Sequence, residues 1–353
     1  MKKYYSELVS RLQPYIAGEQ PQDQKYIKLN TNENPYPPSP VALDAMREKL
    51  DEGLRLYPDP EAAELKRELA SYYNLQIENV FVGNGSDEVL ALAFMAFFKK
   101  NKPILFPDIT YSFYPVYCAL FEIDYQLIPL TEEFEINVAA YEQANGGIIF
   151  PNPNAPTGRA LAAEQIQKLL QQNPGSVVII DEAYIDFGGE SAVQWLDQYP
   201  NLLVIQTFSK SRSLAGIRVG YALGNTHLID ALERVKNSFN SYPLDRLAIA
   251  GAVAAIQDEN YFQTCKERII TTRENTASKL NSMGFKVLPS AANFLFAKHS
   301  RYPSEKLYLE LKGKGILVRY FDKPRINGYV RITIGTDAEM NRFTEVLQAM
   351  LIT

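Results

Sequence analysis

The sequence predicts an α/β protein: a mainly parallel seven-stranded sheet between helices, joined to a smaller α+β domain. Three observations carry this. Seven short runs rich in Val, Ile and Phe fall between residues 79 and 224, with helical patterns between several of them. Continuous apolar strands alternating with helices belong to a parallel sheet covered on both faces. After residue 283 the pattern changes to four short strands, an intervening helix and a closing helix. A length of 353 residues suits two domains on size alone.

Along the chain, residues 1–40 read as irregular, because LNTNENPYPPSP holds too many Asn and Pro residues for a helix. Leu43, Met46, Leu50 and Leu54 recur at helical spacing, in a helix expected to end near Gly53, before the turn signal Tyr57–Pro60. Ala62, Leu65, Leu69 and Tyr72 make the next apolar stripe. Strands are expected at 79–83, 103–106, 123–130, 147–151, 176–181, 202–208 and 219–224, with helices at 86–99 and 111–121. A long helical region covers 243–283; the strands FKVL, NFLFA, ILVR and YVRITIG follow, with helices over 303–314 and 337–350. The expected division is an N-terminal arm at 1–41 that packs with the small domain and a dimer partner, a large domain at 42–241 and a small domain at 242–353.

Composition narrows the chemistry. Hydrophobic residues make up 46% and charged residues 22%, a globular balance. The net charge, 36 − 41 = −5, speaks against nucleic acid as a partner. Cys118 and Cys265 stand far apart, which excludes a disulfide scaffold and a thiolate zinc site and fits a reducing compartment. With two histidines, His227 and His299, catalysis must run largely without imidazole, and no metal is expected. Lys2 and Lys3 suit the start of a signal peptide, but Glu7, Ser10 and Arg11 interrupt its apolar core. The longest apolar run, Val89–Phe98, is about half of a bilayer span, so a cytoplasmic protein without a membrane partner is expected.

In open α/β sheets, ligands bind outside the carboxyl ends of strands. NVFVG is followed by NGSDE, where Gly83 and Gly85 permit tight turns and Ser86 caps a helix whose free amides suit an anion. It matches neither GxGxxG nor GxxxxGK(S/T), so no dinucleotide or P-loop nucleotide is expected. SVVII is followed by Asp181-Glu182-Ala183-Tyr184. A carboxylate ending a buried strand needs a donor or cation: it is a helix cap, an ion pair, or the partner of a protonated ring nitrogen. LLVIQTF is followed by Ser209-Lys210-Ser211-Arg212, with Arg218 further on. Such a lysine can bind a carbonyl cofactor covalently while the arginine holds its phosphate. In GIIFPNPNAPTG, Asn154 can offer an amide to the same crevice, although alone the segment reads as a rigid loop.

In order, LNTNENPYPPSP, LYPDP, GNGSDE, NPNAPTG, DEAYIDF, TFSKSRSLAGIRVGY and VRITIG resemble the fold-type I aminotransferases dependent on pyridoxal 5′-phosphate, over essentially the whole chain. LNTNENPYPPSP with LYPDP, DEAYIDF and SKSRSLAGIRVGY is most similar to the histidinol-phosphate aminotransferases among them. The resemblance implies a role for each matching residue. Lys210 matches the lysine that holds the cofactor covalently, and Asp181 the aspartate that pairs with its ring nitrogen. Asn154 and Tyr184 match donors to the phenolic oxygen. Gly85, Ser86 and Asp87 match the helix start that receives the phosphate, with Thr207, Ser209 and Arg218 around it. Tyr111 matches the aromatic residue stacked on the ring. Tyr57 matches a tyrosine that reaches the phosphate in the neighbouring subunit, which implies a homodimer. Arg331 and Arg319 match the arginines for substrate anions, and Tyr15, Asn32 and Tyr242 match further pocket residues.

The implied reaction exchanges an amino group between L-histidinol phosphate and 2-oxoglutarate, giving imidazole acetol phosphate and L-glutamate, in histidine biosynthesis. Histidinol phosphate carries a phosphate and no carboxylate, whereas glutamate has two carboxylates. Two arginines serve either anion through bidentate forks. The implied cofactor is the electron sink, Asp181 keeps its ring nitrogen protonated, and Lys210 moves the proton. None of this needs histidine. FNSYPLDRLA, after Lys236, departs from the commonest family text next to the substrate. An aromatic or broad-specificity aminotransferase shares the cofactor residues and stays as the alternative; a decarboxylase of a phosphorylated amino acid is more distant. A DNA-binding regulator of this fold lacks support, with no helix-turn-helix pattern and an acidic balance.

Overall fold

The computed structural model describes residues 4–16, 18–21 and 23–352. Lys2 and Lys3, weighed above as a signal-peptide start, lie outside them. The arm holds a short helix α1 (Glu7–Arg11) and a strand β1 (Ile27–Lys28) where the sequence predicts irregular chain. Contacts distant in sequence fix β1: Ile27 N–H donates to the Gly315 carbonyl at 2.9 Å and Leu29 N–H to the Leu317 carbonyl at 2.8 Å. Helix α2 (Pro40–Glu48) is shorter than predicted. It stops because Asp51 starts a separate 3-10 turn at 52–55, accepting from Gly53 N–H at 2.7 Å. Helix α3 (Ala63–Tyr73) follows.

Strands and helices then alternate: β2 (Val80–Asn84), α4 (Gly85–Ala93), β3 (Ile104–Pro107), α5 (Tyr114–Phe121), β4 (Tyr125–Ile128), β5 (Ile148–Pro151), α6 (Ala163–Gln172), β6 (Val178–Asp181), β7 (Leu202–Thr207), β8 (Val219–Gly224) and α7 (Thr226–Phe239). The seven strands form one sheet in the order β2-β8-β7-β6-β5-β3-β4. It is parallel from β7 to β4, whereas β8 runs antiparallel to both β2 and β7. Two helices differ from expectation. After Ala93 the chain widens into a π-helical turn at Phe94–Phe98, which buries Phe94, Phe97 and Phe98. Helix α5 starts at Tyr114 rather than at 111, with Pro115 in its first turn, where a missing N–H is harmless.

Strand alternation sets which face each side chain meets. Ile179 and Ile205 pack toward α4, α5 and α7 with Leu90, Phe106, Tyr114 and Leu232. Val178, Ile180 and Val204 pack on the opposite face with Leu65, Ile166 and Leu169. Asp181 therefore turns toward α4 and α5, and Glu182 away from them.

The helical region predicted over 243–283 is two helices, α8 (Arg246–Gln257) and α9 (Glu259–Ser282). Asp258 ends the first and caps the second, accepting from Tyr261 N–H at 3.3 Å. Helix α8 lies beyond the expected division at 241/242, yet its buried Ala248, Ala252 and Val253 pack in the core of the central sheet. The chain closes with β9 (Phe285–Val287), β10 (Phe294–His299), α10 (Ser304–Gly313), β11 (Ile316–Leu317), β12 (Arg319–Tyr320), β13 (Val330–Thr333) and α11 (Asp337–Ile352). An antiparallel sheet, β12-β13-β10-β9, has its own core around Leu280, Leu295, Ile332 and Phe343, while β11 pairs with β1. Among the described residues, no helix is long and apolar enough to cross a membrane.

Candidate active site

A cavity of about 530 Å³ opens where Asp181 ends β6, Thr207 ends β7 and α4 starts directly after β2. Its opposite wall comes from the arm and the C-terminal sheet, through Tyr15, Asn32, Arg319 and Arg331.

At one end the backbone makes a cradle. Gly85 has φ +78°, and a Cβ there would lie 2.5 Å from Arg218 Nη2, so glycine lets the guanidinium rest against the helix start. Arg218 donates to Asp87 Oδ2 at 3.1 Å, and Tyr111 donates its hydroxyl to Asp87 Oδ1 at 2.9 Å. Thr207 Oγ1 donates to Ser209 Oγ at 3.0 Å and accepts from Ser209 N–H at 3.1 Å. Ser86, Asp87, Thr207, Ser209 and Arg218 all line the cavity here. Helix amides, hydroxyls and a guanidinium converging on one spot suit a phosphate.

At the centre, Asp181 is 5% exposed. Burial pushes its pKa up to about 6, against the pull of hydrogen bonds from the Tyr114 hydroxyl and Ala183 N–H. Lys210 hangs over Tyr184, with Nζ 5.7 Å from the ring centroid and a long hydrogen bond of 3.4 Å to the Thr31 carbonyl. The Tyr184 hydroxyl accepts from Asn32 Nδ2 at 2.9 Å. Asn32 is itself fixed: its N–H donates to Thr333 Oγ1 at 3.0 Å and its carbonyl accepts from Asn293 at 3.0 Å. Asn154 lies behind the wall, donating to the Ile109 carbonyl at 3.1 Å and to Thr157 at 2.9 Å, with its buried Oδ1 unpartnered.

At the far end, Arg319 and Arg331 are register partners on β12 and β13. Like charges directly opposite repel. Arg331 Nη2 donates to the Asn30 carbonyl at 2.9 Å, while its buried Nε has no partner. Burial lowers the Arg331 pKa, and the Arg319 charge adds to that effect. An anion between them would satisfy the unpaired N–H and relieve the repulsion.

Tyr57 and Tyr242 are not brought to this cavity. They stack on each other with centroids 4.8 Å apart, and Tyr57 is 78% exposed. The loop bearing Tyr57 is held from α8, as Arg246 donates to the Leu56 and Tyr57 carbonyls at 3.3 and 3.2 Å.

Residues 24–347 match the family model for aminotransferases of class I and II. The chain belongs to that family. It is 61% identical to histidinol-phosphate aminotransferase 1 of Hydrogenovibrio crunogenus, over 100% of this chain and 99% of that one. Histidinol-phosphate aminotransferase of Clostridium beijerinckii is 54% identical, over 99% and 98% of the two chains. In fold it is similar to the histidinol-phosphate aminotransferase of Sinorhizobium meliloti solved in complex with pyridoxal-5′-phosphate, with a TM-score of 0.88 at 24% identity, covering 99% of this chain and 98% of that one. A Thermus thermophilus aspartate aminotransferase mutant gives 0.83 at 18% identity, over 98% and 99%.

For an aminotransferase the cavity also contains residues that motif reading misses. Phe321, Lys323 and Arg325 line its mouth. The ring of Phe321 lies 5.5 Å from both the Arg319 and the Arg331 guanidinium carbons. Arg325 ties the mouth to the central sheet, pairing with Asp108 at 2.9 Å and donating to the Leu130 carbonyl at 3.0 Å. The alternation of ILVRYF, which carries Arg319, extends to Phe321 and was the available signal; Lys323 and Arg325 sit in a loop with no pattern.

Proposed function

We propose that this chain is a histidinol-phosphate transaminase that uses pyridoxal 5′-phosphate, a cytoplasmic homodimer acting in histidine biosynthesis. It exchanges an amino group between L-histidinol phosphate and 2-oxoglutarate, yielding imidazole acetol phosphate and L-glutamate. The observation that carries the reading is the opposed pair Arg319 and Arg331, with Arg331 Nε unpartnered, in the same cavity as Lys210 and Asp181. One reaction partner offers a phosphate there and the other a carboxylate, and a guanidinium takes either.

The residues present fit the cofactor. The cradle of Gly85, Ser86, Asp87, Thr207, Ser209 and Arg218 would take its phosphate, Asp181 its ring nitrogen, and Lys210 its carbonyl carbon. Asn154 and Tyr184 would face its phenolic oxygen, with Tyr111 against the ring. Bound there, pyridoxal phosphate supplies an electron sink for the bond broken at the substrate α-carbon. Asp181 holds a proton on the ring nitrogen, which a carboxylate beside it stabilises. Lys210 Nζ, freed when the substrate's amine displaces it from the cofactor, would be placed to move the α-carbon proton. Arg319 and Arg331 orient the substrate by its anionic end.

The dimer reading is supported by exposed apolar side chains at Tyr57, Tyr242, Leu56 and Phe239, none of which lines the chain's own cavity. Tyr57 would then complete the partner's phosphate cradle. Light scattering should give the mass of two chains.

The substrate assignment is tested with a panel of histidinol phosphate, phenylalanine, tyrosine and glutamate as amino donors. The expected kcat/KM for histidinol phosphate exceeds that for either aromatic amino acid, whose α-carboxylate the same arginines can also bind, by at least about tenfold. Faster turnover of phenylalanine or tyrosine would overturn the assignment in favour of an aromatic aminotransferase.

A further inference from the structure

Tyr114 belongs to no recognised motif, yet it touches two groups that face the cavity. Its side chain is 0% exposed, beneath the cavity wall at the start of α5. Its hydroxyl donates to Asp181 Oδ2 at 3.0 Å, while Asp181 Oδ1 accepts from Ala183 N–H at 3.2 Å. Its ring meets Tyr111 edge-on, with centroids 5.7 Å apart at 89°, and Phe106 at 5.8 Å and 76°. We propose that Tyr114 is a positioning residue for amino transfer: its hydroxyl fixes the Asp181 carboxylate toward the cofactor's ring nitrogen and keeps it anionic. The proposal rests on the aminotransferase reading above.

Three physical points support it. A buried carboxylate needs donors, and a hydrogen bond to an ionised acceptor is roughly twice as strong as a neutral one. Burial drives the Tyr114 pKa far up, so its proton stays on the phenol and the hydroxyl acts as donor. The geometry also divides the work, since one donor holds each carboxylate oxygen and Asp181 itself lines the cavity. The groups that face Asp181 are Tyr114 and Tyr117 from α5, Asp87 from α4 and Lys210 from the segment after β7. Burial and Asp87 push the carboxyl pKa up; Tyr114, Ala183 N–H and Lys210 pull it down. Removing the Tyr114 hydroxyl leaves burial less opposed, so Asp181 becomes more basic and draws the shared proton off the ring nitrogen.

The test is Tyr114→Phe in the loaded enzyme, which keeps the ring and its packing and removes one oxygen. With cofactor labelled by nitrogen-15 in the ring, its chemical shift should move toward that of unprotonated pyridine. The acid limb of kcat should rise by about one pH unit, and kcat near neutrality should fall about tenfold with KM within twofold, the scale of one charge-assisted hydrogen bond. In a cycle with Asp181→Asn, the double variant should be no slower than Asp181→Asn alone, as expected if Tyr114 acts through Asp181. An unmoved chemical shift and acid limb, or additive losses in the cycle, would overturn the proposal even if Tyr114→Phe were less heat-stable. A wild-type protein that takes up no cofactor would overturn the aminotransferase reading and this proposal together.

Discussion

Asp181 and Glu182 are neighbours in sequence with opposite surroundings. Glu182 turns to the far face of the sheet, where Ser191 Oγ, Gln206 Nε2 and Ala192 N–H donate to it at 2.6, 2.8 and 2.7 Å. Burial pushes its pKa up to about 8, and its three donors staple β6 to β7 and to the 191–192 turn. Asp181 faces the cavity with a pKa of about 6. Between about pH 4, where an unfolded aspartate has released its proton, and this raised value, the folded protein still holds one. Its ionisation therefore opposes folding, and stability falls as pH rises through that window. In cofactor-free protein, Asp181→Asn should raise stability by up to about 3 kcal/mol near pH 8, with the gain vanishing below about pH 4. Thermal melts across pH would check this, and an equal gain at both extremes would mean that the charge is not responsible. Asp181 and Lys210 were legible because each is a polar residue within two positions of the end of a buried, mostly apolar run. Tyr114 was not. In YPVYCALF a tyrosine reads as core, and it is core; its second role depends on a partner on β6 that no local pattern reveals.

Among the elements, β8 and α4 are where packing constrains the site most closely. A Cβ on Gly220 would lie 2.3 Å from Ser86 N and 2.4 Å from Gly85 C, all of it backbone. Neither side can yield without moving the cradle. Gly220→Ala should cost about 1–3 kcal/mol of stability, as overpacking does, and weaken cofactor binding at least about tenfold. Gly224, further along β8, is the control: its Cβ would meet a Leu203 methyl at 2.9 Å, a side chain able to shift. Gly224→Ala should leave cofactor affinity within about twofold by titration, since the disturbance lies at the far end of the strand. Most strands of the central sheet were readable because they are apolar runs buried on both faces; β4, at the sheet edge, is the exception, with Tyr125, Gln126 and Leu127 exposed. Boundaries were less so, for local reasons. Pro115 moved the start of α5, Asp51 cut α2 short, and Asp258 split one helical pattern into two. Strand β1 left no signal at all, because a two-residue strand held by residues 315 and 317 has no periodicity to show.

Across the whole molecule, the cavity exists because distant segments are held together. Tyr15 and Asn32 come from the arm, Asp181 and Lys210 from the central sheet, and Arg319 and Arg331 from the C-terminal sheet. Paired contacts join these layers: Arg325 with Asp108 at the mouth, and Arg273, which donates to the Phe187 and Ala292 carbonyls at 2.7 and 2.9 Å. The motifs in the sequence named most of the participants, but not their distances. Nor did they show that Tyr57 and Tyr242 lie together on the surface. The central claim is that this assembly places Lys210 at the carbonyl carbon of pyridoxal phosphate. Borohydride reduction of the loaded enzyme, followed by proteolysis and mass mapping of the peptides, tests it directly. The expected result is one modified peptide, containing Lys210, with the cofactor's mass added and none in Lys210→Ala. Cofactor attached at a different lysine, or undiminished labelling of Lys210→Ala, would contradict it.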